Sequence, residues 1–98
     1  MVHSDVCGPM SVESLNGNRY FLLFIDDYSR RTWCYFLKNK SDVFDRFVEF
    51  KACVEKEIDA PIRTLRTDNG GEFTSEQFED FLRREGIVHQ KTAPYTPQ

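Results

Sequence analysis

The sequence has 98 residues, of which 40% are hydrophobic and 14% aromatic, and its formal net charge is −3. This length allows one small domain and excludes a second core. The negative charge excludes a strongly basic DNA-binding chain, so any DNA contact needs a local basic patch or a divalent metal. The longest apolar run, Tyr20 to Ile25, is far too short to span a membrane, and no signal peptide pattern opens the chain.

The first part of the chain predicts three strands. Met1 to Cys7 is typical of a short strand, and it carries Asp5 among apolar neighbours. Arg19 to Asp26 is nearly all apolar, which is typical of a strand buried on both faces. Thr32 to Leu37 is rich in aromatic strand formers, and Asp27 to Arg30 supply a turn. We therefore expect the second and third strands to form a hairpin.

A long amphipathic helix is predicted next, from Ser41 to Ile58. Ser41 is a plausible N-cap, and Pro61 lies just beyond the end of the pattern. The apolar residues recur every three or four positions, as a helix requires: Val43, Phe47, Phe50, Val54 and Ile58. The phenylalanine face of this helix should cover a sheet.

A central strand then leads to a candidate site at Asp68. Residues Ile62 to Thr67 alternate as in a strand, and Asn69-Gly70-Gly71 favours a tight loop after the aspartate. The carboxylate is thus expected at the carboxyl end of a strand, where open α/β sheets place their ligands. Aspartate and asparagine before two glycines also make an ordinary turn, so this segment alone does not establish a site.

The chain continues with a second helix and a fifth strand. Thr74 to Gln77 fits a capping box, with Phe73 and Phe78 placed to staple it, and Gly86 ends the helix. Ile87 to Thr92 is predicted as the last strand. The order β-β-β-α-β-α-β predicts an α/β fold, a mixed sheet of about five strands with helices packed on it.

Two carboxylates suggest the chemistry of the site. If the first strand lies beside the Asp68 strand, Asp5 and Asp68 can converge on Mg²⁺, a hard cation that prefers oxygen ligands. Two such ions activate the attacking oxygen and stabilise the leaving oxygen of a phosphoryl displacement. That chemistry needs a third carboxylate, for which Glu72 and Asp27 are the nearby candidates.

Other polar residues leave alternatives open. The odd number of cysteines, Cys7, Cys34 and Cys53, suits a reducing compartment and three small buried side chains. A zinc site from His3, Cys7 and His89 is conceivable, but its spacing matches no known ligand pattern. A basic DNA-facing patch is a further hypothesis, with a solvated surface as the alternative; its members are Arg63, Arg66, Arg83, Arg84 and Lys91.

Ordered segments spanning the whole chain resemble the integrase core of copia-type retrotransposons: HSDVCGPM, YFLLFIDDYSRRTWCYFLK, LRTDNGGEF and FLRREGIVHQKTAPYTPQ. The resemblance implies a ribonuclease H-like fold and an Asp-Asp-Glu site that binds two Mg²⁺ or Mn²⁺ ions. The implied reactions are 3′-end processing and strand transfer of element DNA into a target. By motif, Asp5 and Asp68 correspond to the first two catalytic acids and metal ligands. Asn69, Gly70 and Gly71 form the adjoining loop and, with Arg66 and Lys91, are candidate DNA contacts.

One departure from the family pattern shapes the functional expectation. The family's glutamate follows the second aspartate after about thirty-five residues, which falls beyond Gln98. We therefore expect residues 1–98 to be a partial catalytic core, truncated at both ends, without the last catalytic helix and inactive alone. PYTPQ corresponds to the approach to that helix.

Two alternative functions remain: a non-catalytic nucleic-acid-binding or interaction module, and a nuclease of the same fold. The expected partners are element and target DNA, with a possible homodimer through the core, and neither a membrane nor a small-molecule substrate. The resemblance implies an intracellular location, in the nucleus or in a cytoplasmic element particle.

Overall fold

The computed structural model describes residues 1–9 and 17–92; the predicted extended segment PYTPQ lies outside these residues. Five strands form one sheet in the spatial order β3-β2-β1-β4-β5. The strands are β1 (Val2–Cys7), β2 (Tyr20–Asp26), β3 (Thr32–Leu37), β4 (Thr64–Thr67) and β5 (Val88–Lys91). All five predicted strands are present, and the observed β3 has the predicted bounds.

The helices differ from the prediction near their first residues. They are α1 (Val43–Ile58), α2 (Gly71–Thr74) and α3 (Glu76–Arg84). Ser41 is not the N-cap of α1 but lies within a 3-10 turn, Lys40–Asp42, where the Asp42 carboxylate accepts a 3.3 Å hydrogen bond from the Asn39 amide. The cap of α3 is Ser75, one residue later than predicted, and its hydroxyl accepts from the Phe78 amide at 3.2 Å. The turn α2 was not predicted.

The strand pairing confirms a mixed sheet. β1 pairs with β2, and β2 with β3, in antiparallel fashion. β1 pairs with β4, and β4 with β5, in parallel fashion. Parallel neighbours need a crossover connection. The chain passes from β3 through α1 to reach β4 beside β1, and through α2 and α3 from β4 to β5.

The helices pack on one face of the sheet, where the core lies. Phe24 of β2 stacks on Phe50 of α1 with ring centroids 4.1 Å apart, and Phe47 stacks on Phe78 of α3 at 5.2 Å. These four rings are fully buried, and each large apolar side chain buried in this way contributes roughly 1.5–3 kcal/mol to the free energy of unfolding. Trp33 and Tyr35 of β3 pack against this core and are partly buried.

The opposite face of the sheet carries the alternate side chains of each strand. This face includes Asp5, Leu23 and Arg66. The described helices pack against the other face, where the hydrophobic core lies. Two large apolar side chains of this face remain exposed on the edge strands, Phe36 at 52% and Val88 at 59%. No helix in residues 1–9 and 17–92 is long and apolar enough to cross a membrane.

The cysteines do not behave as three buried side chains. Cys34 and Cys53 are exposed, and Cys7 is half-buried. The prediction of burial is wrong because Cys34 alternates onto the sheet face that lacks helix cover, and Cys53 lies on the outer side of α1 beside buried Val54.

Candidate metal and nucleic-acid site

Asp5 and Asp68 lie side by side. The parallel register of β1 and β4 pairs Val2 with Leu65 and His3 with Arg66. The same register carried two residues further places Asp5 beside Asp68, just past the end of β4. Both side chains line one surface pocket of about 350 Å³ on the face opposite the helices. The tertiary structure therefore brings together the two acids that the sequence places 63 positions apart.

Electrostatics distinguishes this pair from isolated surface acids. Partial burial raises the pKa of Asp5 above its usual range, and the neighbouring charge of Asp68 raises it further. A hydrogen bond to the Val6 backbone acts in the opposite direction, and the charge of Glu72 adds a smaller upward contribution. Two neighbouring negative charges thus act on Asp5, and a bound cation would relieve that repulsion.

The loop after β4 orients the Asp68 carboxylate. The backbone amide of Gly70 donates a 2.8 Å hydrogen bond to Asp68 Oδ1. A Cβ atom on Gly70 would lie 2.7 Å from Glu72 Oε1 and 3.0 Å from Asp68 Oδ1, so glycine leaves room for both carboxylates. Gly71 already belongs to α2, which makes the loop shorter than predicted. Asn69 Nδ2 lies 3.4 Å from the Thr92 carbonyl oxygen, to which it donates.

Of the two candidates for a third acid, the structure brings only Glu72 near the pair. Its carboxylate lies beside Gly70, and its charge raises the pKa of Asp5. Asp27 lies at the other end of β1, where its amide donates to the Met1 carbonyl and its carboxylate is 3.8 Å from His3 Nε2. In the part of the chain that the structure describes, no three His, Cys, Asp or Glu side chains converge tightly enough to hold a metal ion.

The zinc hypothesis is wrong because its three residues lie on opposite faces of the sheet. His3 lines the pocket on the open face, and Cys7 alternates onto the same face. His89 lies under the helices, where its ring stacks near Phe78 and its nitrogens contact Thr67 and Glu79. A single ion cannot bridge the two faces of a sheet.

The predicted basic patch is divided between different surfaces. Arg66 lines the pocket beside Asp68. Lys91 instead points to the helix side, with Nζ 3.1 Å from Glu79 Oε2. Arg83 on α3 pairs with Asp80 at 2.8 Å. Arg66 is therefore the member of the patch that the structure brings to the two aspartates.

The sequence reasoning missed His3 as a pocket residue. His3 lies two residues before Asp5 on β1, so strand alternation places both side chains on one face. That i, i+2 spacing was the available signal. His3 is 36% exposed at its side chain and pairs in register with Arg66, so two basic side chains adjoin the acidic pair.

The donor set suits one divalent cation. Carboxylate oxygens are the ligands that Mg²⁺ and Mn²⁺ prefer, and Mg²⁺ is often held by one or two carboxylates plus water and substrate phosphates. Partial burial and the nearby charges of Asp68 and Glu72 raise the pKa of Asp5, and a bound cation would offset both effects. The residues present therefore fit one such ion.

Comparison with known proteins places the chain in a family. Residues 1–97 match the family model described as the integrase core domain. The whole chain is 54% identical to a segment of the retrovirus-related Pol polyprotein from transposon TNT 1-94 of Nicotiana tabacum, and it spans 7% of that polyprotein. Over 97 residues, 99% of this chain, it is 41% identical to the corresponding polyprotein from transposon RE2 of Arabidopsis thaliana, of which it spans 6%.

Solved structures share the fold at 18% sequence identity. One is the cryoEM structure of the simian T-cell lymphotropic virus intasome in complex with PP2A regulatory subunit B56 gamma; the TM-score is 0.74, with 98% of this chain and 32% of that chain covered. Another is the HTLV-2 integrase catalytic core domain in complex with magnesium, with a TM-score of 0.66 and coverage of 93% and 57%. The fold is the ribonuclease H-like fold of these cores, and the chain belongs to the integrase core domain family of retrotransposon Pol polyproteins.

Proposed function

We propose that this chain forms part of a DNA integrase core that performs metal-dependent 3′-end processing and strand transfer, with Asp5 and Asp68 as its catalytic acids. The observation that carries the proposal is the placement of both carboxylates in one pocket, on neighbouring parallel strands. The relatives support it, since they are Pol polyproteins of transposons and one structural neighbour contains magnesium. The chain spans only 7% of its tobacco relative, so the reaction of the whole protein is itself part of the proposal.

Each pocket residue has a distinct role in this proposal. Asp5 and Asp68 would hold Mg²⁺ or Mn²⁺, which when bound activates the attacking oxygen and stabilises the leaving oxygen of an in-line displacement. The Gly70 amide keeps Oδ1 of Asp68 oriented, which leaves the other carboxylate oxygen free to bind. Arg66 lies where its guanidinium can donate to a DNA phosphate. His3 lines the same pocket as a further donor.

The remaining expectations follow from this role. Element and target DNA are the proposed partners, with Asn69, Gly70 and Gly71 near the nucleic acid because their loop adjoins the pocket. Self-association is proposed as well, since the structural neighbours are an intasome and a trimeric core. The proposed location is that of a retrotransposon element, the nucleus or an element particle.

We expect residues 1–98 alone to bind divalent metal weakly and to join no DNA. Within residues 1–9 and 17–92, no third acid converges with Asp5 and Asp68, and Glu72 approaches only through the short turn α2. A displacement that needs two ions then lacks part of its ligand set. This observation also favours the second candidate function, a non-catalytic module that contacts DNA through Arg66 without reacting with it.

The test combines metal binding with an integration assay. Mn²⁺ binding to the purified chain is measured by paramagnetic broadening of amide signals, which should centre on Asp5, Asp68 and Gly70. Asp68→Asn should abolish that broadening. Asp45→Asn is the matched control, since Asp45 is an exposed acid on α1, on the other side of the sheet. Equal broadening in both variants would exclude Asp68 as a ligand.

For activity, a labelled blunt duplex carrying element ends is incubated with the chain and Mg²⁺ or Mn²⁺. We expect neither processing nor joining by residues 1–98. Activity should appear when the downstream catalytic helix of the family is appended to the chain, and Asp68→Asn should abolish it again. Joining by the 98-residue chain that is lost on Asp68→Asn would contradict the expected inactivity. DNA binding without reaction, weakened by Arg66→Ala, would support the non-catalytic module.

A further inference from the structure

A partly buried chain of hydrogen bonds runs beneath Asp68 on the helix side of the sheet. The Glu79 carboxylate on α3 lies 2.5 Å from His89 Nδ1 on β5. His89 Nε2 lies 2.7 Å from the Thr67 hydroxyl on β4. The Thr67 hydroxyl lies 2.8 Å from the backbone carbonyl oxygen of Asp68, to which it donates. Three elements that are distant in sequence thus meet at the residue proposed to hold the metal.

The groups in this chain are held tightly by their surroundings. Thr67 is 2% exposed, and the His89 side chain is 7% exposed. The His89 ring also stacks on Phe78, with centroids 6.3 Å apart. Buried polar groups of this kind stabilise a single arrangement only when all of them are paired, and no buried side-chain polar atom among the described residues lacks a partner.

The proton positions follow from counting donors. Glu79 accepts, so Nδ1 of His89 carries a proton. The Thr67 hydroxyl has one proton, which cannot be donated to both His89 and the Asp68 carbonyl. If Thr67 donates to Asp68, Nε2 of His89 must donate to Thr67. All three contacts are satisfied together when both ring nitrogens act as donors.

Glu79 is itself held by a second cation. Its other oxygen lies 3.1 Å from Lys91 Nζ. Burial alone would raise the pKa of Glu79, but hydrogen bonds from His89 and Lys91 outweigh that effect and hold the pKa below its usual range. The carboxylate therefore stays ionised and continues to orient the histidine ring.

We infer that Thr67, His89 and Glu79 are positioning residues that set the backbone orientation of Asp68 and thereby the direction of its carboxylate. The hydrogen bond to its carbonyl restrains the backbone of Asp68 on one side, and the Gly70 amide restrains Oδ1 of its side chain on the other. The expectation that these residues also raise the affinity of the site for a metal ion rests on the proposed function. The expectation that they hold the loop at Gly70 in place does not depend on that function, so metal affinity and loop order can be tested separately.

The metal-free test follows hydrogen exchange of the Gly70 amide, which donates to Asp68 Oδ1. Thr67→Val removes the hydroxyl at nearly constant volume, and we expect Gly70 to exchange about two- to tenfold faster, the effect of losing one hydrogen bond. Thr67→Ser retains the hydroxyl and should restore slow exchange. Thr64→Val is the matched control on the same strand, because Thr64 alternates onto the other side of the sheet from buried Leu65.

The metal test repeats the series with Mn²⁺. We expect Thr67→Val to weaken binding about two- to tenfold, with Thr67→Ser and Thr64→Val close to the parent chain. Glu79→Ala is a second variant, at a partly exposed position that disturbs the core less than a change at buried Thr67. Glu79→Ala should also speed exchange of the Gly70 amide, and it should change the ¹⁵N signal of His89 Nδ1, which loses its carboxylate partner.

Each outcome decides the inference. Faster Gly70 exchange with weaker Mn²⁺ binding supports both the positioning role and its consequence. Faster exchange without any Mn²⁺ binding in the parent chain supports positioning and overturns the proposed metal site. Unchanged exchange in Thr67→Val and Glu79→Ala overturns the inference. Equal acceleration of all β4 amides would also overturn it, because that pattern indicates a general loss of stability.

Discussion

The backbone amide of Gly70 donates a 2.8 Å hydrogen bond to the carboxylate of Asp68, and the same glycine leaves space for Glu72. The carboxylates of Asp68 and Glu72 therefore both lie in the space that a side chain at position 70 would occupy. The next residue, Gly71, has no atom within 4 Å of the position that a Cβ would occupy. The two adjacent glycines, Gly70 before α2 and Gly71 at its first residue, therefore differ in the space available for a side chain.

Gly70→Ala should disturb the site, whereas Gly71→Ala should not. The new Cβ at Gly70 would lie 2.7 Å from Glu72 Oε1 and displace that side chain, so Mn²⁺ binding should change. Gly71 begins α2 in open space, and alanine there should raise the free energy of unfolding by about 0.5 kcal/mol. Urea denaturation and Mn²⁺ titration of both variants test this. Equal effects at the two positions would contradict the assigned contacts.

Asp5→Asn should stabilise the metal-free chain at neutral pH. Burial and the charge of Asp68 raise the pKa of Asp5 above its ordinary value of 3.8 in the folded state. Protonated Asp5 therefore favours the folded state. This contribution to stability is fully present below pH 3.8 and is lost as the pH rises through the raised pKa. The side chain is exposed, so solvent screening limits the expected gain to about 0.5 kcal/mol at pH 7.

Urea denaturation from pH 3 to pH 8 measures this effect. The difference between Asp5→Asn and the parent chain should be small in acid and grow toward neutral pH. Added Mg²⁺ should stabilise the parent chain and leave Asp5→Asn unchanged, since a ligand that binds only the folded state raises its stability. A neutral-pH loss of stability in Asp5→Asn would show that the repulsion is compensated elsewhere.

Glu79→Gln should lower stability with the opposite pH dependence. Hydrogen bonds from His89 and Lys91 hold the pKa of Glu79 below its ordinary value of 4.5, despite the upward effect of burial. The stabilisation is thus present above pH 4.5 and lost as the pH falls through the lowered pKa. We expect a deficit of about 1 kcal/mol at pH 7 that disappears in acid. Glu76→Gln, at an exposed position on the same helix, is the control.

The open sheet face should make the chain self-associate. Phe36 and Val88 are more than half exposed on opposite edge strands of this face, and exposed apolar patches promote association. Phe36→Thr combined with Val88→Thr should shift sedimentation toward the monomer with little loss of thermal stability. Phe24→Ala in the core should instead cost about 3–5 kcal/mol. Unchanged association in the double variant would place the contact elsewhere.

Local periodicity determined most of the secondary structure. The aromatic run of β3 predicts its bounds, and the three- and four-residue spacing predicts α1 to within two residues at its start. Two helix starts differ from the prediction: Ser41 lies in a 3-10 turn and does not cap α1, and the cap of α3 is Ser75. Adjacent polar residues at both places can each cap a helix, so the sequence does not decide among them. Sequence alone also indicated that Asp68 follows a strand, because the glycines after it favour a loop.

Only the tertiary structure decided which faces the side chains share. Strand alternation assigns His3 and Asp5 to one side and His89 to another only after the strand order and the helix-covered face are known. The approach of Glu72 to Asp5, and the placement of Lys91 on Glu79 instead of beside Arg66, depend on contacts between separate elements. The first contact depends on the position of α2 and the second on the packing of α3 beside β5, and no local sequence pattern encodes a distance between residues that are far apart in the chain.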